Sequence, residues 1–264
     1  MRRLAVLGHP VGHSRSPAIH NAALAELGMA ADWSYEAIDV APDRFTEHVE
    51  AMPGEGFVGA NVTIPHKTAA LALADVLSET AREIGAANTL SFAEGEIRAD
   101  NTDADGFMDT LPESASGKRA LVLGAGGAGR AVVWALLREG AGVDVWNRTE
   151  LRSRDLCREL GGRPVQVPEQ GAYGLIVDST SVGLNGEDPF TELPLAPDGF
   201  VPGQIVVDLA YGERPNPLLL AAEAAGATTV DGIEVLVRQG ARSFRIWTGR
   251  DAPLEVMRAA ARRV

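Results

Sequence analysis

Ala120-Leu121-Val122-Leu123-Gly124-Ala125-Gly126-Gly127-Ala128-Gly129 is the stretch that decides the fold. Its four leading residues read as a short buried strand. The glycines after them match G-x-G-x-x-G and open a helical pattern over residues 128–139. Glycines also cluster in ordinary turns, so the strand before and the helix after are what make the pattern informative. In that setting the glycines permit a tight turn and close backbone approach. The helix N-terminus then offers unpaired N–H groups and the positive end of its dipole to a pyrophosphate. A dinucleotide-binding turn is expected.

The next strand, 143–146, runs into Asn147-Arg148-Thr149, with Arg152 one turn on. No carboxylate stands where an acid would bond the adenosine ribose 2′-OH and repel a 2′-phosphate. Two guanidiniums there suit a phosphate held by forked bonds, which favours NADP over NAD. Two solvated surface arginines are the plain alternative, and Glu150 close by counts against a phosphate.

Working outward, short apolar runs alternate with helical patterns, the signature of an α/β protein with largely parallel sheets. Strands are expected at 4–7, 33–38, 57–62, 175–178 and 205–209, and a hairpin joins 87–92 to 96–99 across Glu94-Gly95. A helix is expected over 17–27, with Ser16 as its N-cap, Pro17 in its first turn and Gly28 as its stop. Pro42 opens another helix, 150–160 reads as a third, and two more close the chain near 234–247 and 253–263. Residues 111–118 form a small-residue, turn-rich linker. Two domains follow from this, and periodicity alone does not say to which the last helices belong.

The 264 residues carry 24 basic and 36 acidic side chains, a formal charge of −12. That charge opposes binding to nucleic-acid phosphates or anionic membranes. Cys157 is the only cysteine and reads as a packing residue. His9, His13 and His20 lie close in sequence without a convincing metal-ligand set, so no metal is expected. The apolar part of the N-terminus is too short for a signal peptide and no run approaches membrane-spanning length, which makes a cytoplasmic protein the expectation.

Three polar clusters interrupt the apolar patterns of the first domain. Ser14 and Ser16 present hydroxyls near a helix N-terminus, suited to a carboxylate, although capping alone would explain Ser16. Lys67 follows the carboxyl end of a strand, where open α/β sheets place ligands; a lone lysine is more often a solvated charge. Asn88 and Asp103 flank the hairpin, and Asp103 would equally serve as an N-cap.

Together the motifs resemble the shikimate dehydrogenase family over nearly the whole chain. They are SRSP (14–17), NVTIPHK (61–67), GAANTL (85–90), NTDADG (101–106), GAGGAGRA (124–131), NRT (147–149), STSVG (179–183), DLAY (208–211) and GIEVLVRQGARSFRIWTG (232–249). The resemblance implies two α/β domains. A substrate domain comprises 1–104 completed by the C-terminal helices of 235–264, and a Rossmann-type NADP-binding domain, 105–234, is inserted between. It implies reversible NADPH-dependent reduction of 3-dehydroshikimate to shikimate, on the route to chorismate and aromatic amino acids, by a monomer or homodimer. Lys67 and Asp103 would handle the proton. Ser14 and Ser16 would hold the substrate carboxylate, and Thr63, Asn88, Gln239 and Tyr211 would contact the rest. Gly124, Ala125, Gly126, Gly127, Ala128 and Gly129 would hold the pyrophosphate, with Asn147, Arg148, Thr149 and Arg152 around the adenosine phosphate and Thr180 and Gly232 completing the cofactor set. Lysine beside a carboxylate suits a proton that must move in both directions, or a charge held at the reacting oxygen. Two features depart from the pattern: Asp178, where the family more often shows Asn and an extra negative charge is expected, and the loop at 211–215. A quinate/shikimate enzyme using NAD, an aminoshikimate enzyme and a non-catalytic nucleotide-sensing protein are the rival readings.

Overall fold

The computed structural model describes residues 1–184, 186–212 and 216–263. The chain divides into two compact units, one formed by Met1–Gly106 with the segment from Leu236 onward, the other by Phe107–Val235.

The first unit holds six strands: β1 (Arg2–Gly8), β2 (Trp33–Asp39), β3 (Phe57–Val62), β4 (Val76–Leu77), β5 (Thr89–Ala93) and β6 (Glu96–Asp100). They line up as β2-β1-β3-β5-β6-β4. β1 is parallel to β2 and β3, whereas β5 runs antiparallel to both β3 and β6. The hairpin turn falls at Glu94-Gly95, where both residues have positive φ (56° and 78°), as a two-residue turn matched to strand twist requires. Leu7, Phe45, Val49, Met52, Val62 and Leu90 fill one core of this unit. The C-terminal helices belong here: Arg15 Nη1 donates to the Ala261 carbonyl (2.9 Å), and Trp247 Nε1 donates to the Leu90 carbonyl (2.9 Å). Gly59 on β3 lies under the Trp247 indole, where any Cβ would collide with the ring.

The second unit is a wholly parallel sheet of β7 (Arg119–Leu123), β8 (Gly142–Trp146), β9 (Arg163–Pro164), β10 (Leu175–Asp178), β11 (Ile205–Asp208) and β12 (Thr228–Val230). Its order, β12-β11-β10-β7-β8-β9, reverses direction between β7 and β10. Counted within the unit this is 3-2-1-4-5-6, the doubly wound order in which ligands bind beyond the carboxyl ends of the strands at the reversal. Alternate residues serve opposite faces: Val122, Val177 and Val207 pack on one side, Leu121, Leu123, Ile176 and Val206 on the other. Because helices cover both faces, these strands read as unbroken apolar runs.

Several boundaries move by a residue or two, and one assignment changes. The first long helix is Ser16–Glu26, with Arg15 at its N-cap and no side-chain cap. Ser16 is therefore inside the helix rather than capping it. Ser14 supplies the local acceptor instead, its Oγ lying 3.3 Å from the Ser16 amide. Pro42 opens a short 3₁₀ turn, Pro42–Arg44, ahead of the helix Phe45–Ala51.

Candidate active site

Lys67 is the first residue of the helix Lys67–Leu73, just beyond β3. Its side chain is only 12% exposed and its Nζ donates to Asp103 Oδ2 at 2.6 Å, so it is not a solvated surface lysine. Asp103 opens the helix Asp103–Met108, but its carboxylate does not cap it. Asn101 does that work: its Oδ1 accepts from the Asp103 and Ala104 amides at 3.0 and 3.3 Å. The carboxylate is thereby left free to face Lys67 with one oxygen and Asn88 Nδ2 (2.8 Å) with the other. Gln239, on the long helix Gly232–Thr248, brings Oε1 to 3.2 Å from the same Asn88 amide nitrogen. Four of the residues expected at the site thus form one hydrogen-bonded group drawn from distant parts of the sequence.

The other expected substrate residues are placed by neighbouring backbone. Thr63 follows β3; its amide donates to the Leu7 carbonyl (2.8 Å), and the His9 amide donates to the Ile64 carbonyl (3.0 Å). The segment after β1 is therefore tied to the one that delivers Lys67. Ser14 and Ser16 lie farther along that same segment, half-buried and buried. Tyr211 belongs to the second unit, just after β11, and is half-buried. Of the 211–215 loop, Glu213, Arg214 and Pro215 lie outside the described residues.

In the second unit the glycine turn joins β7 to the helix Gly127–Arg138. Gly124 has φ of 101°, and a Cβ on Gly129 would collide with the Gly124 carbonyl, so neither position accepts a side chain. Ser179 Oγ braces the turn by donating to the Leu123 carbonyl at 2.7 Å. Asn147 braces it from the other side, accepting the Ala125 amide at 3.0 Å while donating to the Thr149 carbonyl at 2.9 Å. The turn leaves a bare, preshaped helix N-terminus, which fits a dinucleotide pyrophosphate. Arg148 is 82% exposed and lies 3.5 Å from Glu192. Arg152 is exposed, and Glu150 is engaged by Arg154. Thr180 donates its amide to Asp178 Oδ1 (2.8 Å), and Gly232 sits against the Leu209 and Ala210 carbonyls, where a Cβ would not fit.

Asp178 faces Asp208 across the β10–β11 register. Burial, followed by the Asp208 carboxyl, pushes Asp178 well above the ordinary carboxylate range. Asp208 is raised by burial too, although Asn216 Nδ2 and the Ala210 amide donate to it. Burial and the neighbouring carboxyl thus oppose the extra negative charge expected at Asp178. Cys157 is buried in the core, and burial raises its thiol to about 11, in keeping with a packing residue. His20 is fully buried against Tyr35, and burial lowers it to about 3.

Asn61, Thr89, Asn101, Thr102 and Ser243 are buried polar residues of this region that sequence reasoning did not single out, except as letters within motifs. Their signal was present in NVTIPHK, GAANTL and NTDADG, and for Ser243 in its place one helical turn beyond Gln239.

A reversing parallel sheet with a glycine turn, together with a second α/β unit holding a buried lysine–carboxylate pair, defines an oxidoreductase of the dinucleotide-dependent class. The comparisons make this particular. Residues 6–90 match the shikimate dehydrogenase substrate binding domain, 108–173 the shikimate/quinate 5-dehydrogenase model and 232–262 the shikimate 5′-dehydrogenase C-terminal domain. Shikimate dehydrogenase (NADP(+)) of Methanothermobacter thermautotrophicus is 42% identical, over 98% of this chain and 95% of its own. The enzyme of the same name from Methanopyrus kandleri is 43% identical, over 97% and 93%. Among solved structures, shikimate dehydrogenase of Aquifex aeolicus superposes with a TM-score of 0.92 at 37% identity, over 99% of this chain and 98% of that one. Shikimate 5-dehydrogenase of Thermus thermophilus, in complex with NADP(H) and shikimate, gives 0.90 at 43% identity, over 100% and 99%. The chain belongs to the shikimate dehydrogenase family. Among the described residues, no helix is long and apolar enough to cross a membrane.

Proposed function

We propose that the chain catalyses the reversible NADP(H)-dependent interconversion of 3-dehydroshikimate and shikimate, a step toward chorismate and the aromatic amino acids. The observation that carries this reading is the buried group of Lys67, Asp103, Asn88 and Gln239. NADP(H), when bound, supplies or accepts the hydride, so the protein must orient the substrate and manage one proton. Lys67 Nζ has three N–H bonds and gives one to Asp103, leaving donors for the reacting oxygen. In reduction the Lys67 ammonium delivers a proton to the carbonyl oxygen and is left as the neutral amine; in oxidation the neutral amine takes the hydroxyl proton and becomes the ammonium, with Asp103 orienting it in both directions. Gln239 offers its amide to the ring hydroxyls, together with Thr63 and Tyr211, and Asn88 serves the substrate side by holding the Asp103 carboxylate. Ser14 and Ser16 bind the substrate carboxylate through hydroxyls and the adjoining helix N-terminus.

The first unit, 1–106 with the segment from 236, is the substrate domain and 107–235 is the NADP domain in this reading. Gly124 to Gly129 receive the pyrophosphate along the first turn of the helix Gly127–Arg138. Arg148 and Arg152, both exposed, bind the 2′-phosphate, while Asn147 and Thr149 shape the strand end beneath it. Thr180 and Gly232 complete the cofactor set. The reading also puts the enzyme in the cytoplasm, with no nucleic-acid partner for a chain of net charge −12.

The test is spectrophotometric. Shikimate with NADP should yield NADPH, faster than quinate with NADP and faster than shikimate with NAD. Silence across the pH range, or a strong preference for quinate with NAD, overturns the proposal.

A further inference from the structure

Asn88 can hold Asp103 only if its amide points the right way, and the hydrogen bonds around it fix that direction. The Thr102 backbone N–H, which can only donate, lies 2.7 Å from Asn88 Oδ1. That oxygen is therefore the acceptor side, and Nδ2 is the side turned to Asp103 Oδ1 at 2.8 Å. From there a closed circuit of buried groups can be followed. Asn88 Nδ2 reaches Thr102 Oγ1 at 2.9 Å, Thr102 Oγ1 reaches Ser243 Oγ at 3.1 Å, and Ser243 Oγ reaches Thr89 Oγ1 at 2.9 Å. Thr89 Oγ1 returns to Asn88 Oδ1 at 3.0 Å. Each hydroxyl has one proton to give, and a single direction of donation satisfies all four links at once.

Asn61 sets the outer boundary. Tyr35 Oη donates to Asn61 Oδ1 (2.7 Å), so Asn61 Nδ2 faces the circuit and donates to Ser243 Oγ at 2.9 Å. Ser243 is 0% exposed, Thr89 1%, Asn88 2% and Thr102 5%, so water does not substitute readily for a missing partner. Bonds that donate in one sense around a ring polarise one another and stiffen the arrangement.

We propose that Thr89, Thr102 and Ser243 are positioning residues whose hydroxyl ring locks the Asn88 amide and thereby holds the Asp103 carboxylate against Lys67. The proposal rests on the reaction assigned above and deepens it. None of the three hydroxyls needs to touch the substrate; each acts through Asn88. The ring also fixes the long C-terminal helix, since Ser243 lies one turn after Gln239.

Thr89→Val and Thr102→Val keep side-chain shape and remove one hydroxyl each. Breaking the ring at either point lowers kcat for shikimate oxidation about tenfold, equivalent to about 1.4 kcal/mol of barrier, with the KM for NADP within about twofold. The double variant falls little further, because a ring is opened by its first break, and Thr102→Ser recovers to within about threefold of the parent. Should a valine variant fail to fold, Ser243→Ala opens the same ring from the helix side by deleting one atom and is expected to give the same kcat-selective loss. The ring has no positioning role if folded single variants keep the parental kcat, if losses add fully in the double variant, or if Thr102→Ser is as impaired as Thr102→Val. An inactive parent enzyme would instead sink the assigned reaction, so the two failures are told apart by the unmutated protein.

Discussion

Replacing Asp178 by Asn tests how the second unit tolerates two carboxyls at the ends of adjacent strands. Asp178 Oδ1 accepts the Thr180 amide, while Oδ2 is buried with no hydrogen-bond partner. Burial and the neighbouring Asp208 push Asp178 up to about 8 from 3.8. At Asp178 the folded state therefore binds more protons than the unfolded state between about pH 4 and pH 8, and this group's contribution to stability falls as pH rises through that window. Each tenfold change in proton affinity is worth about 1.4 kcal/mol. A rise from 3.8 to about 8 caps the cost of ionising the folded pair at about 6 kcal/mol. Water entry and proton sharing with Asp208 reduce it, so about 2–4 kcal/mol is expected. Asn has the same shape, keeps the Thr180 bond and places an N–H₂ where Oδ2 lacked a partner. Urea unfolding followed by circular dichroism at pH 4 and pH 8 measures the difference. Near pH 4 the variant should match the parent within about 1 kcal/mol, and by pH 8 it should be more stable by about 2–4 kcal/mol. Titrations outside the Asp178–Asp208 pair cancel between the two proteins. A stability difference that stays flat across this interval would refute the reasoning, as would a variant less stable than the parent at pH 8.

Lys67→Ala should lower kcat by about 10²–10⁴ while NADPH affinity, read by fluorescence titration, changes less than about twofold; near-normal turnover would remove Lys67 from the mechanism. Gly129→Ala forces a methyl onto the Gly124 carbonyl, with Ser179 Oγ at 2.9 Å on the other side. A thermal melt should show a loss of about 1–3 kcal/mol together with weakened NADPH binding. An unchanged melt and affinity would mean that the turn is looser than its geometry requires.

What the sequence disclosed follows from burial. The runs at 120–123 and 175–178 and most of 205–209 became β7, β10 and β11, because strands covered on both faces must be apolar throughout. The edge strands left no such mark. Val76–Leu77 and Arg163–Pro164 are two residues long, and Arg163 and Pro164 are both exposed; they exist because a neighbouring strand offers a free edge, not because of their own pattern. The β12 strand, Thr228–Val230, is likewise short and at most half-buried. The Asp103 ambiguity was of another kind. A carboxylate at a helix start has two reasonable roles, and only the contact between Asn101 Oδ1 and the helix amides assigns the cap elsewhere.

The ring around Asn88 shows why motifs reveal a site before they reveal its mechanics. GAANTL and NTDADG place Thr89 at the start of one hairpin arm and Asn88, Thr102 and Asp103 just beyond the hairpin's open end, where the Thr89–Asp100 pair brings the two segments together. Ser243 is 154 residues from Thr89 in sequence, and only its place one turn beyond Gln239 sets it apart from any serine on an amphipathic helix. Its role depends on the docking of that helix, which Trp247 secures by bonding Leu90, the residue next to Thr89. One helix therefore supplies Gln239 toward the site, Ser243 behind it and Trp247 as the anchor for both. That division of labour explains why a segment beyond the second unit returns to complete the first: the lysine–carboxylate pair comes from the N-terminal part, but Gln239 and Ser243, which help constrain its orientation, do not.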